Sequence, residues 1–347
     1  MTPALRQASL SEDREELISV LERHFPAFHM RPHFTWRHEG NPAGPGWSWV
    51  IYDRNTGAIG AMTSLFPRPM LVDGKRVLCG QVGEFAVDAT YRSLGPAVML
   101  QRATFRPVDD GELAFCYDCP PHDRGMSTFL RLGMQSNCEL TRYALPLRSD
   151  QVLEKKLGNG AWTKPIVASA NLLLKFKKRT HRETGIEIKK LNGQFDEEFS
   201  QLDQTVSSTG TIRSSRSAEF LNWRYRQRRD VDIEVLVACR GGEVLAFLAC
   251  IIYPERRACV CDLFGRDLQD AGLVLLDATV DLCRQRNVFC LEGYCSKANQ
   301  TKLLFESAGF RPRERAARVV AYGKTVEISG ILNSGSAWTI GSAELNA

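Results

Sequence analysis

Residues 81–103 read QVGEFAVDATYRSLGPAVMLQRA. The first part, 81–87, is apolar and β-prone, as a buried strand is, and 97–103 has the composition of a helix. Between them, Tyr91-Arg92-Ser93-Leu94-Gly95-Pro96-Ala97 joins a glycine to a proline suited to the first helical position. A strand that turns sharply into a helix leaves several backbone N–H groups unpaired at the helix N-terminus. Those donors, with the helix dipole, form a site for a phosphate or pyrophosphate. Pro96 contributes no N–H, so one donor is missing. The glycines fit neither the G-x-x-x-x-G-K-[ST] loop nor the dinucleotide G-x-G-x-x-G pattern.

The spacing Arg92-x-x-Gly95-x-Ala97 resembles the R/Q-x-x-G-x-G/A loop of the GNAT acyltransferases, which in that family holds the pyrophosphate of acyl-coenzyme A. The resemblance implies coenzyme contacts from Arg92, Ser93, Leu94, Gly95 and Ala97. It also implies that the acyl carbonyl meets a backbone N–H on the central strand, at Val87. The plainer reading of the same residues is an ordinary strand–turn–helix joint with a capping Gly-Pro.

The flanking sequence continues the pattern. Residues 4–7 read as a short strand, and 9–24 as an amphipathic helix with Leu17, Ile18, Val20 and Leu21 on one side and a cap at Ser11-Glu12-Asp13. After an aromatic, His- and Pro-rich segment come strands at 48–53 and 58–66, and the hairpin turn Val72-Asp73-Gly74-Lys75 leads from Pro69-Met70-Leu71 into the central strand. Downstream lie a strand at 113–119, a helix at 125–132 closed by Gly133, and a final strand at 139–147. This is the element order of a GNAT domain, a mixed twisted sheet with helices on both faces.

The second half repeats the first in degenerate form. Phe34-Thr35-Trp36-Arg37-His38 is similar to Phe220-Leu221-Asn222-Trp223-Arg224-Tyr225. Arg92 lies 41 residues before Gly133, and Arg266 lies 43 before Gly309. The whole resembles bacterial tandem-GNAT proteins with a W-R-Y element in the second domain. The expected fold class is therefore α/β (α+β), two tandem GNAT-like domains, at 1–150 and 186–347, joined by a linker at 151–185. The second loop reads GRDLQDAG, and Asp267 and Asp270 would repel a pyrophosphate. Coenzyme binding is therefore expected in the first half.

Composition limits the alternatives. The 347 residues carry a formal net charge of +5, with no basic run that points to nucleic acid. No stretch has the length of an apolar membrane span, and the N-terminus lacks a signal-peptide pattern. Eleven cysteines in such a chain suggest reduced thiols in a cytoplasm. Cys116 and Cys119, and Cys259 and Cys261, have no partner pairs for a zinc site and read as buried apolar residues, so no metal is expected. Residues 162–182 form a basic amphipathic stretch, either an interdomain helix or a contact to an anionic membrane surface.

Acyl transfer to an amine requires a proton acceptor, a stabilised oxyanion and a departing thiolate. Glu84 is the sole acid in the apolar part of its strand and is the candidate base. Desolvation is expected to raise its pKa; a structural salt bridge is the plainer role. Gln81, three residues earlier, is expected on the opposite face. The family's general acid is a Tyr four residues before the glycine closing the second core helix, but here that position is Phe129 in the first copy and Phe305 in the second. Tyr117 is the replacement candidate, although a thiolate also leaves unaided. His29, His33 and His38, with Trp36, occupy the segment that covers the acceptor site in GNAT folds; packing is their plainer role, and His38 is an alternative base. The resemblance implies acetyl-coenzyme A as co-substrate and an amine acceptor, such as an amino sugar or polysaccharide precursor. A non-catalytic module that binds coenzyme A or a partner, and an aminoacyl-transfer enzyme of the peptidoglycan type, are the alternatives.

Overall fold

A computed structural model describes residues 2–26, 30–92, 94–120, 123–150, 169, 185–206 and 212–345. The 162–182 stretch, Ser93 and His29 lie outside them, apart from residue 169.

The first half runs β1 (Pro3–Gln7), α1 (Arg14–His24), α2 (Met30–Phe34), β2 (Trp47–Asp53), β3 (Ile59–Val72), β4 (Lys75–Val87), α3 (Leu94–Ala103), α4 (Arg106–Asp109), β5 (Phe115–Asp118), α5 (Asp123–Arg131) and β6 (Ser136–Pro146). The second runs β7 (Glu187–Lys190), α6 (Glu197–Thr205), β8 (Ile212–Ser214), α7 (Ala218–Asn222), β9 (Asp232–Arg240), β10 (Glu243–Ile252), β11 (Arg257–Gly265), α8 (Leu273–Gln285), β12 (Cys290–Ser296), α9 (Thr301–Ser307), β13 (Arg311–Gly323) and α10 (Val326–Leu332). The expected mixed α/β class and the repeated order of elements are both present.

The strands form one sheet in the order β1-β2-β3-β4-β5-β13-β6-β12-β11-β10-β9-β7, with β8 paired to β3. The expected final strand of the first half therefore forms, but not beside its own neighbours. β6 pairs antiparallel with β12, and β13 pairs antiparallel with β5. Each half receives its last strand from the other, and β6 and β13 also pair with each other. Neither half-sheet is complete without its counterpart.

β3 is longer than the sequence suggested, because it runs through Pro67 and Pro69. β2 covers β3 only as far as Leu65. Beyond it, the Pro67 carbonyl accepts from Asn41 Nδ2 and the Pro69 carbonyl from Ser215 N–H. The two imino nitrogens therefore face a side with no continuous strand to supply, where proline is tolerated. At the hairpin after β3, Asp73 and Gly74 both take positive φ (48° and 75°), as a two-residue type I′ turn requires. Asp13 sits at the N-cap of α1, but its carboxylate accepts from Ser9 N–H and pairs with Arg6 at 2.6 Å, so it ties the helix to β1 and makes no cap hydrogen bond.

The two W-R elements are π-helical turns, Thr35–Glu39 and Trp223–Gln227, and they meet at the seam between the halves. The Trp36 and Trp223 rings stack with centroids 4.8 Å apart. Trp36 Nε1 donates to the Trp223 carbonyl at 2.8 Å, and Trp223 Nε1 donates to the Trp36 carbonyl at 2.9 Å. Both side chains are buried. The C-terminal segment folds back onto the seam through isolated bridges, Trp338 to Ile212 and Gly341 to Cys295. Trp338 is fully buried against Phe115 and Tyr117 of β5, and Glu344 is buried beside Arg68 and Arg216. Cys116, Cys119, Cys259 and Cys261 are all buried, as their apolar reading requires.

Trp36→Phe keeps most of the stacked area but leaves the buried Trp223 carbonyl without its donor. It should cost about 1–3 kcal/mol, whereas Trp36→Ala, which also opens a cavity, should cost about 3–5 kcal/mol. Urea unfolding of both variants checks the order.

Candidate functional site

β4 is not a regular strand. Ala86 lies opposite Met62 and Gly83 opposite Ser64, so Glu84 and Phe85 together face the single residue Thr63. This β-bulge holds Glu84 at φ 54°, a left-handed conformation that non-glycine residues rarely adopt. The extra residue also reverses the alternation of side chains. Glu84 accepts from Ser64 Oγ at 3.2 Å, and Ser64 shares its face of β3 with Phe66, the partner of Gln81. Glu84 and Gln81 thus point to the same face, contrary to strict alternation. Gly83, an isolated glycine inside a strand, was the signal for the bulge.

On that face the π-helical turn brings His38 over Glu84. His38 Nε2 lies 2.7 Å from Glu84 Oε2, and its ring stacks on Phe34 and meets the edge of Phe66. His38 is fully buried and its Nδ1 has no partner. The second carboxylate oxygen, Glu84 Oε1, also lacks a hydrogen bond among the described residues; His33 Nε2 lies 3.8 Å from it. His33 Nδ1 is in turn 3.4 Å from Asp230, which Arg228 holds at 2.9 Å. A continuous polar file, Asp230–His33–Glu84–His38, therefore crosses the seam.

The charges in this file are not those expected for a desolvated acid. Burial pushes the Glu84 carboxyl up, but His38, Arg37 and His33 outweigh it and hold the pKa at about 2. The expectation of a raised value is corrected: the cations come from a turn 46 residues away in sequence, which local reading of β4 does not reveal. Burial lowers the His33 pKa, against the opposing pull of Asp230. Burial and the neighbouring arginines lower that of Arg37 to about 10, although Glu84 opposes them.

Next to Glu84 the sheet opens. Among the described residues β4 and β5 pair at Gly80–Cys116 and Gln81–Tyr117, and the ladder does not continue along β4 from Gly83 to Val87. Asp88 N–H donates to the Gly60 carbonyl at 2.8 Å. Val87, one residue earlier and opposite Ala61, is then a non-hydrogen-bonded position whose N–H turns away from β3, into the gap. Arg92 Nε donates to the Val87 carbonyl at 3.2 Å, fixing the loop to the strand end.

The helix α3 begins at Leu94, so Pro96 occupies its third position and not its first. Leu94 and Gly95 supply first-turn amides that no preceding turn can pair. The first turn carries no acidic residue. A Cβ built on Gly95 meets nothing within 4 Å. These donors, the open face at Gly95 and the free Val87 amide fit an acyl-coenzyme A lying along the loop with its acyl end in the gap.

Residues 7–120 match the acetyltransferase (GNAT) domain family. The chain carries a GNAT domain. No curated protein sequence matches it. Solved structures share the fold across both halves at low identity. A probable N-acyltransferase from Enterococcus faecalis V583 aligns with a TM-score of 0.63 and 12% identity over 93% of this chain and 73% of that one. A GCN5-related N-acetyltransferase from Anabaena variabilis aligns at 0.63 and 13%, over 92% and 72%. The N-myristoyltransferase of Saccharomyces cerevisiae, solved with myristoyl-CoA and inhibitors, aligns at 0.62 and 14%, over 93% and 80%.

Within this GNAT architecture the remaining expected residues fall away from the gap. Tyr117 is 1% exposed, packed among Phe115 and Trp338, with its hydroxyl unpartnered. Burial drives its pKa well above the ordinary value, which Arg68 only partly offsets. It packs beneath Trp338 in the seam, and no contact with Glu84 is found among the described residues. Phe129 and Phe305 are both core residues, and Phe305 packs so closely that a Cβ on Gly293 would lie 2.3 Å from its ring. In the second half, Asp267 pairs with Arg240 at 3.2 Å, and its carbonyl accepts from the Asp270 and Ala271 amides. Those amides are spent inside the turn. Sequence reasoning did not find the pairing of His38 with Glu84, or the part of Asp230; no local signal connects them.

Because the folded pKa of Glu84 (about 2) lies below its ordinary value of 4.5, its contribution to stability is complete above pH 4.5 and declines as pH falls towards 2. The stability difference between wild type and Glu84→Gln should therefore shrink by roughly 3 kcal/mol over that window. Denaturant titrations at pH 6, 4 and 3 test the trend; a difference independent of pH would show that Glu84 is not held as an ion.

Proposed function

We propose that the chain is an acyl-coenzyme A-dependent N-acyltransferase whose reaction takes place in the gap between β4 and β5. The observation that carries this reading is the Val87 amide, turned away from β3 past the last β4–β5 pair among the described residues, beside a buried and ionised Glu84. Backbone amides of Leu94, Gly95 and Ala97, with Arg92, would hold the coenzyme pyrophosphate. Val87 N–H would donate to the thioester carbonyl, stabilising the oxyanion as the C–N bond forms and the C–S bond breaks.

Glu84 would take the proton of the attacking amine. A carboxylate with a folded-state pKa near 2 is a weak base, and the His38 contact that helps to hold it there does not strengthen it; transfer to Glu84 would be driven by the acidity the amine gains as the C–N bond forms. The thiolate would leave without a protein acid, in keeping with Phe129 at the expected Tyr position. Acetyl is the acyl group the resemblance favours, and an amino sugar or related amine is the acceptor class. The second half, whose loop amides are internally paired, would shape the acceptor side. Its π-helical turn likewise reaches a carboxylate, Tyr225 to Asp262 at 3.3 Å, but Arg216 grips that group at 3.0 Å.

Glu84→Gln should lower kcat by about 10²–10⁴-fold with an unchanged dissociation constant for acetyl-coenzyme A. Calorimetry and a free-thiol assay over a panel of amines separate the two quantities. Unchanged turnover would remove Glu84 as the base, and tight coenzyme binding without turnover on any amine would favour a non-catalytic coenzyme-binding protein. Gly95→Trp should abolish coenzyme binding while Gly95→Ala, whose Cβ meets open space, should retain it; equal binding in both would move the coenzyme away from this loop.

A further inference from the structure

The second half contains a pocket of about 370 Å³ beside the β11–β12 pair, a volume within the range of small-molecule sites. Tyr253, Tyr294, Ala258, Cys259 and Cys261 form its walls. Arg224, the arginine of the W-R-Y turn, also lines it and is 7% exposed. Other arginines in the seam have carboxylates: Arg68 and Arg216 have Glu344, Arg216 also has Asp262, and Arg228 has Asp230. Arg224 has none. Among the described residues it makes no hydrogen bond or ion pair, its Nε is buried without an acceptor, and its only contact of this kind is the Tyr225 ring at 5.9 Å.

A guanidinium left in this state is costly, since burial penalises an unpaired cation and nearby like charges add to the penalty. Arg224 is close enough to Arg37 to disfavour the charge of Arg37. The cost is removed if an anion enters the pocket. Two further charges in the wall restrict its nature. Glu292 is already matched by Arg142 at 3.1 Å and by Arg257, so those arginines are not available to a ligand. Glu255 lines the pocket as well and would repel a dianion. One vacant guanidinium fork, aromatic and aliphatic walls and carboxylates nearby match a single carboxylate on an apolar body, and disfavour phosphate.

We propose that the second half binds a small monocarboxylate in this pocket, its carboxylate on Arg224 and its apolar part against Tyr253 and Tyr294. The site is separate from the coenzyme loop and does not depend on the acyl-transfer reading.

The test uses the full chain and the probe 4-iodobenzoate, with its uncharged isostere 4-iodobenzamide. Calorimetry should show the acid binding at least about tenfold more tightly than the amide, and Arg224→Gln should bring the acid to the level of the amide while leaving acetyl-coenzyme A binding intact. In crystals soaked with the acid, anomalous scattering should place iodine in the pocket, with the carboxylate on Arg224. Equal binding of acid and amide, iodine elsewhere, or no binding of the acid at millimolar concentration would overturn the proposal. The acid–amide comparison needs only the wild-type protein, so a folding defect in the variant does not remove the test.

Discussion

Two residues of β4, Glu84 and Phe85, stand opposite one residue of β3, and the site follows from that mismatch. A left-handed Glu costs on the order of 1–3 kcal/mol, and the conformation persists because the surroundings fix it. Ser64 and His38 hold the carboxylate from the sheet and from the π-helical turn. The bulge keeps Glu84 on the face of Gln81 and Phe66. It lies beyond the last β4–β5 pair, Gln81–Tyr117, and precedes Val87, whose amide turns away from β3.

The bulge in turn relies on the seam. His38 is two residues from Trp36, and Trp36 is clamped to Trp223 by stacking and two reciprocal hydrogen bonds. The exchange of β6 and β13 makes the two halves one sheet, so that clamp cannot be separated from the fold. Asp230, from the second half, completes the polar file through His33. The chemistry assigned to the first half is therefore held in place by residues of the second.

Much of this was legible in the sequence where the signal is local. The strand–turn–helix at 81–103, the Asp73-Gly74 hairpin and the W-R repeat all appear where their patterns place them. Non-local features were not legible. An alternating strand such as β6 carries no mark of which neighbour it joins, so its pairing with β12 was invisible. The face of Glu84 was misread because one inserted residue inverts a period of two. The pKa of Glu84 was misread for a related reason: desolvation is visible in an apolar strand, but the cations that overcome it arrive from a distant turn. The burial of Tyr117 was not legible because the ring it packs on, Trp338, lies near the far end of the chain.

The most direct test of the account is a crystal structure of the chain with acetyl-coenzyme A. The account predicts the pyrophosphate on the amides of Leu94, Gly95 and Ala97, and the acetyl carbonyl oxygen within hydrogen-bonding distance of Val87 N–H, on the side where Glu84 and His38 meet. Coenzyme bound at the second half's 265–272 loop, or an acyl group directed away from Val87, would contradict it.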